Sequence, residues 1–302
     1  MRQNRRQFIH HSSMLMASSL LSIKLKPVDF QVAPDRLKIF ATKWGVHESY
    51  ADFCKLAKEA GYDGIEIWSP PGDKIDELKD SLKKYGLRLG LLAGNSGKSF
   101  NDHFDAFRQS IDKAITLNPD FINCHAGKDY FNLEQNQKFI EYSQQLKTDS
   151  EIPIYHESHR GRILYSIPIA LQYLEQNPDL ELTLDISHWC CVHESLLSDQ
   201  QASLDVLFPA VRHIHARVGF PEGPQIPDPT SPHYKKAIDA HFGWWDALIK
   251  KGKEKGHELT ITTEFGPSGY MWTHPDTGKP LRNNWEMNKE MLQLIRKRYT
   301  KG

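Results

Sequence analysis

Residues 37–68 read LKIFATKWGVHESYADFCKLAKEAGYDGIEIW, two short apolar runs separated by a polar turn and a helical pattern. The runs are Leu37–Phe40 and Gly64–Trp68, and apolar residues recur at helical spacing over Tyr50–Ala60. The runs are continuous rather than alternating, which is typical of parallel strands buried on both faces. The stretch therefore predicts a strand–helix–strand unit.

The same unit recurs through the rest of the chain. The other apolar runs are Leu87–Leu92, Phe121–His125, Ile152–His156, Leu180–Asp185, Val211–Val218 and Leu259–Glu264. Helical patterns lie between them at Lys74–Tyr85, Phe104–Leu117, Gln135–Leu146, Pro168–Gln176 and Trp244–Lys255. Eight such units predict an α/β fold, a single (β/α)8 TIM barrel over residues 37–302. An open doubly wound sheet is the alternative, but no Gly-x-Gly-x-x-Gly follows any predicted strand.

Composition excludes several classes of protein. The chain has 302 residues, with 38 Lys and Arg against 38 Asp and Glu. This balance disfavours a nucleic-acid partner bound through bulk charge. No run of about 18 apolar residues predicts a transmembrane span. The 4 cysteines include no Cys-x-x-Cys pair, so zinc-ribbon and thioredoxin-like sites are not expected.

The N-terminus has the layout of a targeting segment over residues 1–30. The string RRQFI at positions 5–9 resembles a twin-arginine signal, and an apolar stretch follows at Met14–Ile23. The segment predicts export of the folded protein to the periplasm. A disordered basic tail followed by an amphipathic helix is the alternative.

The last four predicted strands end in ionisable residues. These are Glu157 and His159, Asp185 and His188, His213 and His215, and Glu264. In a barrel such strand ends meet at one mouth, where the active groups lie. Three unpaired carboxylates in a cavity are costly, and a divalent cation is the usual compensation. Oxygen-dominated ligation with one nitrogen suits Mn²⁺, Co²⁺ or Mg²⁺ better than a thiolate zinc site.

The order of these motifs resembles the xylose isomerase-like TIM barrel superfamily, in its sugar isomerase/epimerase branch. The resemblance covers Leu37 to about Tyr299 and includes the Gly61-x-x-Gly64-Ile-Glu66 stretch. It implies one divalent cation, with Mn²⁺ preferred and Co²⁺, Mg²⁺ or Zn²⁺ as alternatives. The ligands that it implies are Glu157, Asp185, His215 and Glu264. His215 is chosen over His213 because the family ligand is the later histidine of a His-x-His strand.

The resemblance also implies a set of substrate-binding residues. His188 matches a position that contacts substrate or metal in relatives, and Arg217 matches an arginine that binds substrate oxygens. Glu66 belongs to the shared motif at strand two. His125 ends strand four and Trp44 follows strand one, so we expect both at the predicted substrate site. Their alternative roles are a structural hydrogen bond for His125 and simple packing for Trp44.

The activity implied is isomerisation or epimerisation of a keto-sugar or sugar derivative through a metal-stabilised enediolate. Glu157 and Glu264, on strands five and eight, are the predicted catalytic acid and base. Two long segments, 219–234 and 266–285, follow strands seven and eight and would cover the substrate. The sequence contains no phosphate-binding loop motif, which favours a sugar without phosphate.

Three other functions share parts of the pattern. A lyase or hydro-lyase acting on 3-keto-glycosides would use the same proton abstraction and then expel a substituent. An abasic-site endonuclease would need extra metal-binding histidines, yet strand three ends in Leu91-Leu92-Ala93-Gly94, and Asp228 is not part of an Asp-x-His motif. A non-catalytic sugar-binding protein would not need paired carboxylates. A homodimer is a further expectation from the family.

Overall fold

A computed structural model describes residues 37–299. Its eight strands are parallel and hydrogen-bonded in sequence order, with β8 returning to β1 to close the barrel. The strands are β1 Leu37–Thr42, β2 Gly64–Trp68, β3 Arg88–Gly94, β4 Phe121–His125, β5 Ile154–Glu157, β6 Leu182–Leu184, β7 Val211–Ala216 and β8 Leu259–Thr263. The predicted single (β/α)8 barrel is confirmed.

Helices occupy the connections between the strands. They are α1 Tyr50–Ala60, α2 Ile75–Tyr85, α3 Phe100–Ile115, α4 Leu133–Ser150, α5 Ile167–Gln176, α6 Ile186–Val192, α7 Gln201–Leu207, α8 Lys235–Lys255 and α9 Asn284–Tyr299. The predicted helices are all present, but α8 begins at Lys235 rather than Trp244, and α6, α7 and α9 were not predicted. Long connections follow β7 and β8, as expected; the first ends in a short 3-10 turn at Pro232–Tyr234.

Local capping residues start several of these helices. Ser99 begins α3 with a capping box, in which its hydroxyl accepts a hydrogen bond from the Asp102 amide and the Asp102 carboxylate accepts one from the Ser99 amide. Asn132 and Gln135 form the same reciprocal pair before α4. Polar residues in these two turns therefore set where α3 and α4 begin.

The apolar core is divided by the sheet. Most buried apolar residues lie in one cluster that joins the strands to the helices, and Phe40, Phe121 and Tyr155 form a separate cluster. The rings of Phe40 and Phe121 are 5.2 Å apart, edge to face. A Cβ on Gly90 would lie 2.4 Å from the Phe121 ring, so glycine on β3 makes room for this aromatic layer. The barrel is thus filled with side chains below its mouth.

The predicted targeting segment lies outside the described residues, so export remains a prediction. Within residues 37–299, no helix is both long enough and apolar enough to cross a membrane.

Candidate active site at the barrel mouth

The four predicted cation ligands lie together where β5 to β8 end. One ligand atom from each of Glu157, Asp185, His215 and Glu264 lies within 4.8 Å of those from the others, and all four residues are buried. His215 Nδ1 is 3.0 Å from Glu264 Oε2 and 3.5 Å from Glu157 Oε2. Residues far apart in sequence therefore point their donor atoms at one small volume.

His215 is held from behind by a carboxylate. Its Nε2 lies 3.0 Å from Oε2 of Glu66, which is 1% exposed. The same Glu66 oxygen is 3.3 Å from His213 Nε2, and the other ring nitrogen of His213 is 2.6 Å from Thr260 Oγ1. A proton on His215 Nε2 donated to Glu66 leaves Nδ1 free to face the other ligands, the arrangement in which metal-binding histidines are usually oriented.

Asp185 ends β6 and also caps α6, which orients its carboxylate. Oδ1 accepts a hydrogen bond from the Ser187 amide at 3.1 Å, and Oδ2 accepts one from the guanidinium of Arg217. Arg217 also lies 3.4 Å from Glu264 Oε2 and donates to His188 Nε2 at 2.8 Å. One arginine thus links two of the predicted ligands with His188.

The two carboxylate oxygens of Glu157 differ: Oε2 has two close neighbours, whereas Oε1 has no hydrogen-bond partner among the described residues. Oε2 accepts a hydrogen bond from Asn123 at 2.8 Å and lies 2.6 Å from His125 Nε2. Oε1 is buried and has no hydrogen-bond partner among residues 37–299. A buried carboxylate oxygen without a partner is costly, so this atom is available for a ligand.

A cavity of about 200 Å³ opens above these groups. Its lining residues are Thr42, Trp44, Trp68, Leu92, His125, Glu157, His159, Arg217, Glu264 and Tyr270. Trp44 packs edge to face on Tyr270, with ring centres 4.8 Å apart. A Cβ on Gly266 would come within 2.4 Å of the Trp44 ring, so glycine after β8 lets this wall approach closely. The cavity has aromatic walls over a charged floor.

The charges at the floor are poorly balanced. Burial raises the pKa of Asp185 to about 7, against the opposing effect of Arg217. Burial by itself would lower the pKa of His215, but Glu264, Glu66 and Glu157 together raise it well above its usual value. Burial also lowers the pKa of His159 to about 3. Asp185 and Glu264 therefore share the single guanidinium of Arg217, and the surrounding carboxylates favour the protonated form of His215.

A divalent cation fits this donor set. Three carboxylates and one imidazole nitrogen match the ligands of Mn²⁺ or Mg²⁺ sites. The free Glu157 Oε1 and the proton drawn onto His215 both mark a place where positive charge is missing. The described residues include three groups of histidines and carboxylates that could hold a metal ion, and this group contributes four residues.

The predicted substrate residues fall into two sets. His125, Trp44 and Arg217 line the cavity. His188 is fully buried against Arg217, and Glu66 is buried against His215, so neither residue lines it. The substrate-binding assignments remain predictions.

Several residues of the site, Asn123, His159 and Tyr270 among them, were given no role of their own from the sequence. Asn123 contacts Glu157, and His159 and Tyr270 line the cavity. The signal for Asn123 is alternation, because it lies two residues before His125 on the same face of β4.

The comparisons with known proteins agree with this architecture. A 3-keto-D-glucoside 4-epimerase from E. coli superposes with a TM-score of 0.57 at 14% identity, covering 86% of this chain and 99% of that one. A D-allulose 3-epimerase from Methylomonas sp. gives 0.59 at 18%, covering 88% and 98%. Endonuclease IV from Thermus thermophilus gives 0.55 at 14%, covering 87% and 98%. At these identities the likeness shows the fold alone.

None of the curated proteins matches the chain in sequence. The model of one family matches residues 54–233, which is more than half of the chain and includes β2 to β7 with three of the four predicted ligands. Together with the closed eight-stranded barrel, this match shows that the chain belongs to the xylose isomerase-like TIM barrel family.

Proposed function

We propose that the protein is a divalent-metal-dependent isomerase or epimerase of a keto-sugar or sugar derivative. The observation that carries the proposal is the convergence of Glu157, Asp185, His215 and Glu264 within 4.8 Å at the floor of an aromatic-walled cavity. Two of the carboxylates, Glu157 and Glu264, line that cavity and can reach a bound molecule.

The four ligands would hold one cation, with Mn²⁺ preferred on the chemistry of the donors. When bound, the cation supplies Lewis-acid stabilisation of negative charge on the substrate oxygens. Glu66 keeps His215 turned towards the site, and Arg217 keeps Asp185 and Glu264 in place.

Glu157 and Glu264 would move the proton. They come from β5 and from the end of β8, so a sugar between them meets a carboxylate on each side. One takes the carbon-bound proton to give an enediolate, and the other returns a proton to the opposite face. Asn123 donates to Glu157 and Arg217 lies against Glu264, so each carboxylate is oriented by a neighbour.

The cavity favours a neutral sugar. Trp44, Trp68 and Tyr270 offer apolar ring faces, on which sugars stack through their C–H groups. Arg217 is the one lysine or arginine among the described lining residues, and it is already shared by Asp185 and Glu264. A phosphate would therefore find no unshared cation there.

The endonuclease alternative has less support. Strand β3 ends at Gly94, and its lining residue Leu92 offers no metal ligand. Asp228 accepts a hydrogen bond from Thr230 in its own loop and lies 2.8 Å from Nη1 of Arg282, in the loop after β8, so its carboxylate is already engaged.

The test is solvent-deuterium uptake by a panel of unphosphorylated keto-sugars in D₂O, with the protein loaded with Mn²⁺. We expect deuterium at a carbon next to the carbonyl, together with a second sugar, and loss of both with chelator. An unsaturated elimination product would instead assign the lyase alternative. Tight sugar binding without exchange would assign a binding protein and overturn the proposal.

We also propose export through the N-terminal segment. Replacing both Arg5 and Arg6 by Lys should retain the protein in the cytoplasm, as measured by cell fractionation and blotting. Unchanged periplasmic protein would contradict a twin-arginine route.

A further inference from the structure

An open groove of about 690 Å³ adjoins the active-site cavity at Tyr270. Tyr270 lines both spaces, and the consecutive residues His159 and Arg160 line the cavity and the groove respectively. Each space also places a guanidinium beside the Tyr270 ring. Arg217 of the cavity lies 4.7 Å from the ring centre, and Arg160 of the groove lies 5.2 Å from it. One aromatic ring therefore forms the boundary between the two spaces.

The active-site cavity is small for a complete substrate. It encloses about 200 Å³, whereas sites for small molecules usually enclose about 300–1,000 Å³. The groove lies within that range. A substrate that extends past Tyr270 would use both spaces, with its reacting part above the charged floor of the cavity and the remainder in the groove.

The walls of the groove are two hydrogen-bonded turns, one in each long loop. In the loop after β7, Phe220 and Gly223 exchange two backbone hydrogen bonds, of 2.8 and 3.1 Å. In the loop after β8, the Leu281 amide donates to the Trp272 carbonyl at 2.8 Å. The buried Gln225 side chain joins the two loops, because it exchanges hydrogen bonds of 2.7 and 3.3 Å with the backbone after β8. The groove is thus formed in advance, which lowers the entropy cost of binding.

The groove combines aromatic faces with one charged donor and one charged acceptor. The rings of Phe220 and Trp272 are 5.9 Å apart, and Trp272 is 42% exposed. The charged residues that line the groove within the described chain are Arg160 and Glu222, one of each sign. Arg160 donates a long hydrogen bond to Cys191 Sγ at 3.6 Å, and a guanidinium has further N–H groups to offer. Apolar rings with balanced charge favour a neutral ligand rich in hydroxyl groups.

We propose that the groove binds the second ring of a neutral glycoside, so that the substrate contains at least two sugar units. The proposal rests on the function proposed above, because it places the reacting ring in the cavity beside Glu157 and Glu264. The second ring stacks on Trp272 and exchanges hydrogen bonds with Arg160 and Glu222. Binding energy from a ring that does not react can then hold the reacting ring in position.

The experiment compares D-fructose with disaccharides that contain a fructose unit with a free carbonyl: turanose, lactulose, maltulose and palatinose. Solvent-deuterium uptake by each sugar, with the Mn²⁺-loaded full chain, gives kcat/KM. We expect at least one disaccharide to exceed D-fructose by about tenfold or more, because the second ring adds binding energy.

Variants of the groove test whether Trp272 is the source of that preference. Trp272→Ala should lower the ratio of disaccharide to D-fructose kcat/KM about tenfold, since truncating an aromatic anchor removes its contact area. Trp272→Phe keeps a ring face and should retain most of the ratio. Leu281→Ala alters an exposed apolar residue of the same turn that does not line the groove, and it should leave the ratio unchanged. Circular dichroism establishes that each variant is folded.

A binding measurement separates failure of the groove from failure of the catalytic proposal. Lactitol and maltitol are disaccharide alcohols without a carbonyl, so neither is turned over, and sorbitol is the matched single unit. Isothermal titration of the Mn²⁺-loaded protein should show one of the two binding about tenfold more tightly than sorbitol, with the difference lost in Trp272→Ala.

Each combination of results has one meaning. Deuterium uptake without a preference for any disaccharide, or with a preference that Trp272→Ala leaves intact, overturns the groove and leaves the isomerase proposal. Tighter binding of a disaccharide alcohol that depends on Trp272, without uptake by any sugar, supports the groove and contradicts the isomerase. Neither uptake nor preferential binding overturns both.

Discussion

Charged groups at the two ends of the barrel are paired in opposite ways. At the amino ends of the strands, Arg88 meets Asp120 at 2.8 Å and also contacts Glu258, with the side chains of all three about a third exposed or more. At the carboxyl ends, Asp185, Glu157 and Glu264 are almost fully buried. There the carboxylates outnumber the cations that contact them.

The charges at the amino end are paired with each other, whereas the buried carboxylates at the mouth form a site that could bind a ligand. The pairs at the amino end are partly exposed to solvent, and such pairs contribute about 0–1 kcal/mol each. At the mouth, burial moves the pKa of Asp185 to about 7, and the surrounding carboxylates raise the pKa of His215 well above its usual value. A natural protein retains so costly an arrangement where an ion or substrate completes it.

The largest expected effect comes from comparing one glutamate at each end of β8. Glu264 follows its carboxyl end and Glu258 precedes its amino end. Glu264→Gln removes a predicted ligand and acid/base group, so we expect kcat/KM to fall by about 10²–10⁴. The matched Glu258→Gln should stay within a few-fold of the unaltered protein. Steady-state kinetics on the sugar found by deuterium uptake measures both, and equal losses would contradict the assignment.

The next largest effect is on the free energy of unfolding. It compares Arg212, on β7, with Arg217, directly after β7. Arg217→Leu leaves Asp185 buried without its cation, so we expect the metal-stripped protein to lose about 3–5 kcal/mol of unfolding free energy. Arg212 pairs with the partly exposed Glu181 at 2.7 Å, and Arg212→Leu should cost about 1 kcal/mol.

Urea denaturation at neutral pH with chelator present measures both losses. Combining Arg217→Leu with Asp185→Leu should recover part of the first loss, since the unpaired buried charge is then gone. If Arg217→Leu loses no more unfolding free energy than Arg212→Leu, the charge of Asp185 does not depend on Arg217 for its stabilisation.

A smaller effect is expected from the residue behind His215. Glu66→Gln replaces a carboxylate acceptor by an amide, so we expect Mn²⁺ affinity to weaken about tenfold with kcat nearly restored at saturating metal. Asp63→Asn, just before the amino end of the same strand, should leave Mn²⁺ affinity unchanged. Isothermal titration with Mn²⁺ gives both values. An unchanged affinity with a raised KM would instead support the substrate-binding role predicted from the sequence.

The fold was predictable because each strand–helix unit has its own local signal, an apolar run followed by a polar turn and a helical period. The exceptions are instructive. The helix α6 spans only Ile186–Val192, too short for a helical period to be recognised. In contrast, α9 carries buried residues at Met287, Met291 and Ile295, four apart, so its helical period is present in the sequence.

The sequence predicted that Glu157, Asp185, His215 and Glu264 would lie together, but it did not predict how deep in the barrel the neighbouring residues lie. Alternation along a strand tells which residues point inwards, so Glu66 and Asn123 could be placed on the inner face. Their height along the barrel depends on the stagger of neighbouring strands, which pairs Thr42 with Glu66 and Asn123 with Tyr155. Sequence alone does not contain that stagger, so it does not predict that Glu66 lies 3.0 Å from His215; its assignment to substrate remains a prediction.

The last prediction concerns how the mouth is anchored. His241 on α8 is fully buried; its Nε2 accepts a hydrogen bond from the Gly219 amide in the loop after β7, and its Nδ1 donates to the Ala237 carbonyl. Burial lowers the pKa of His241 to about 4, below its usual value of about 6.5. Between these values the unfolded chain binds the extra proton, so this contribution to stability is present at neutral pH and is lost as the pH falls.

Lowering the pH from about 7.5 to about 5 should therefore cost about 2 kcal/mol through this one histidine. His241→Gln has no titrating ring, and we expect its unfolding free energy, from urea melts across this range, to fall less steeply than that of the unaltered protein by that amount. The exposed His274→Gln should keep the original slope. Because Gly219 depends on the neutral ring, acidification should loosen the loop after β7 before the amino-end ion pairs are affected. Equal slopes for His241→Gln and the unaltered protein would mean that the histidine gains its proton without disturbing the loop, and that the mouth is anchored elsewhere.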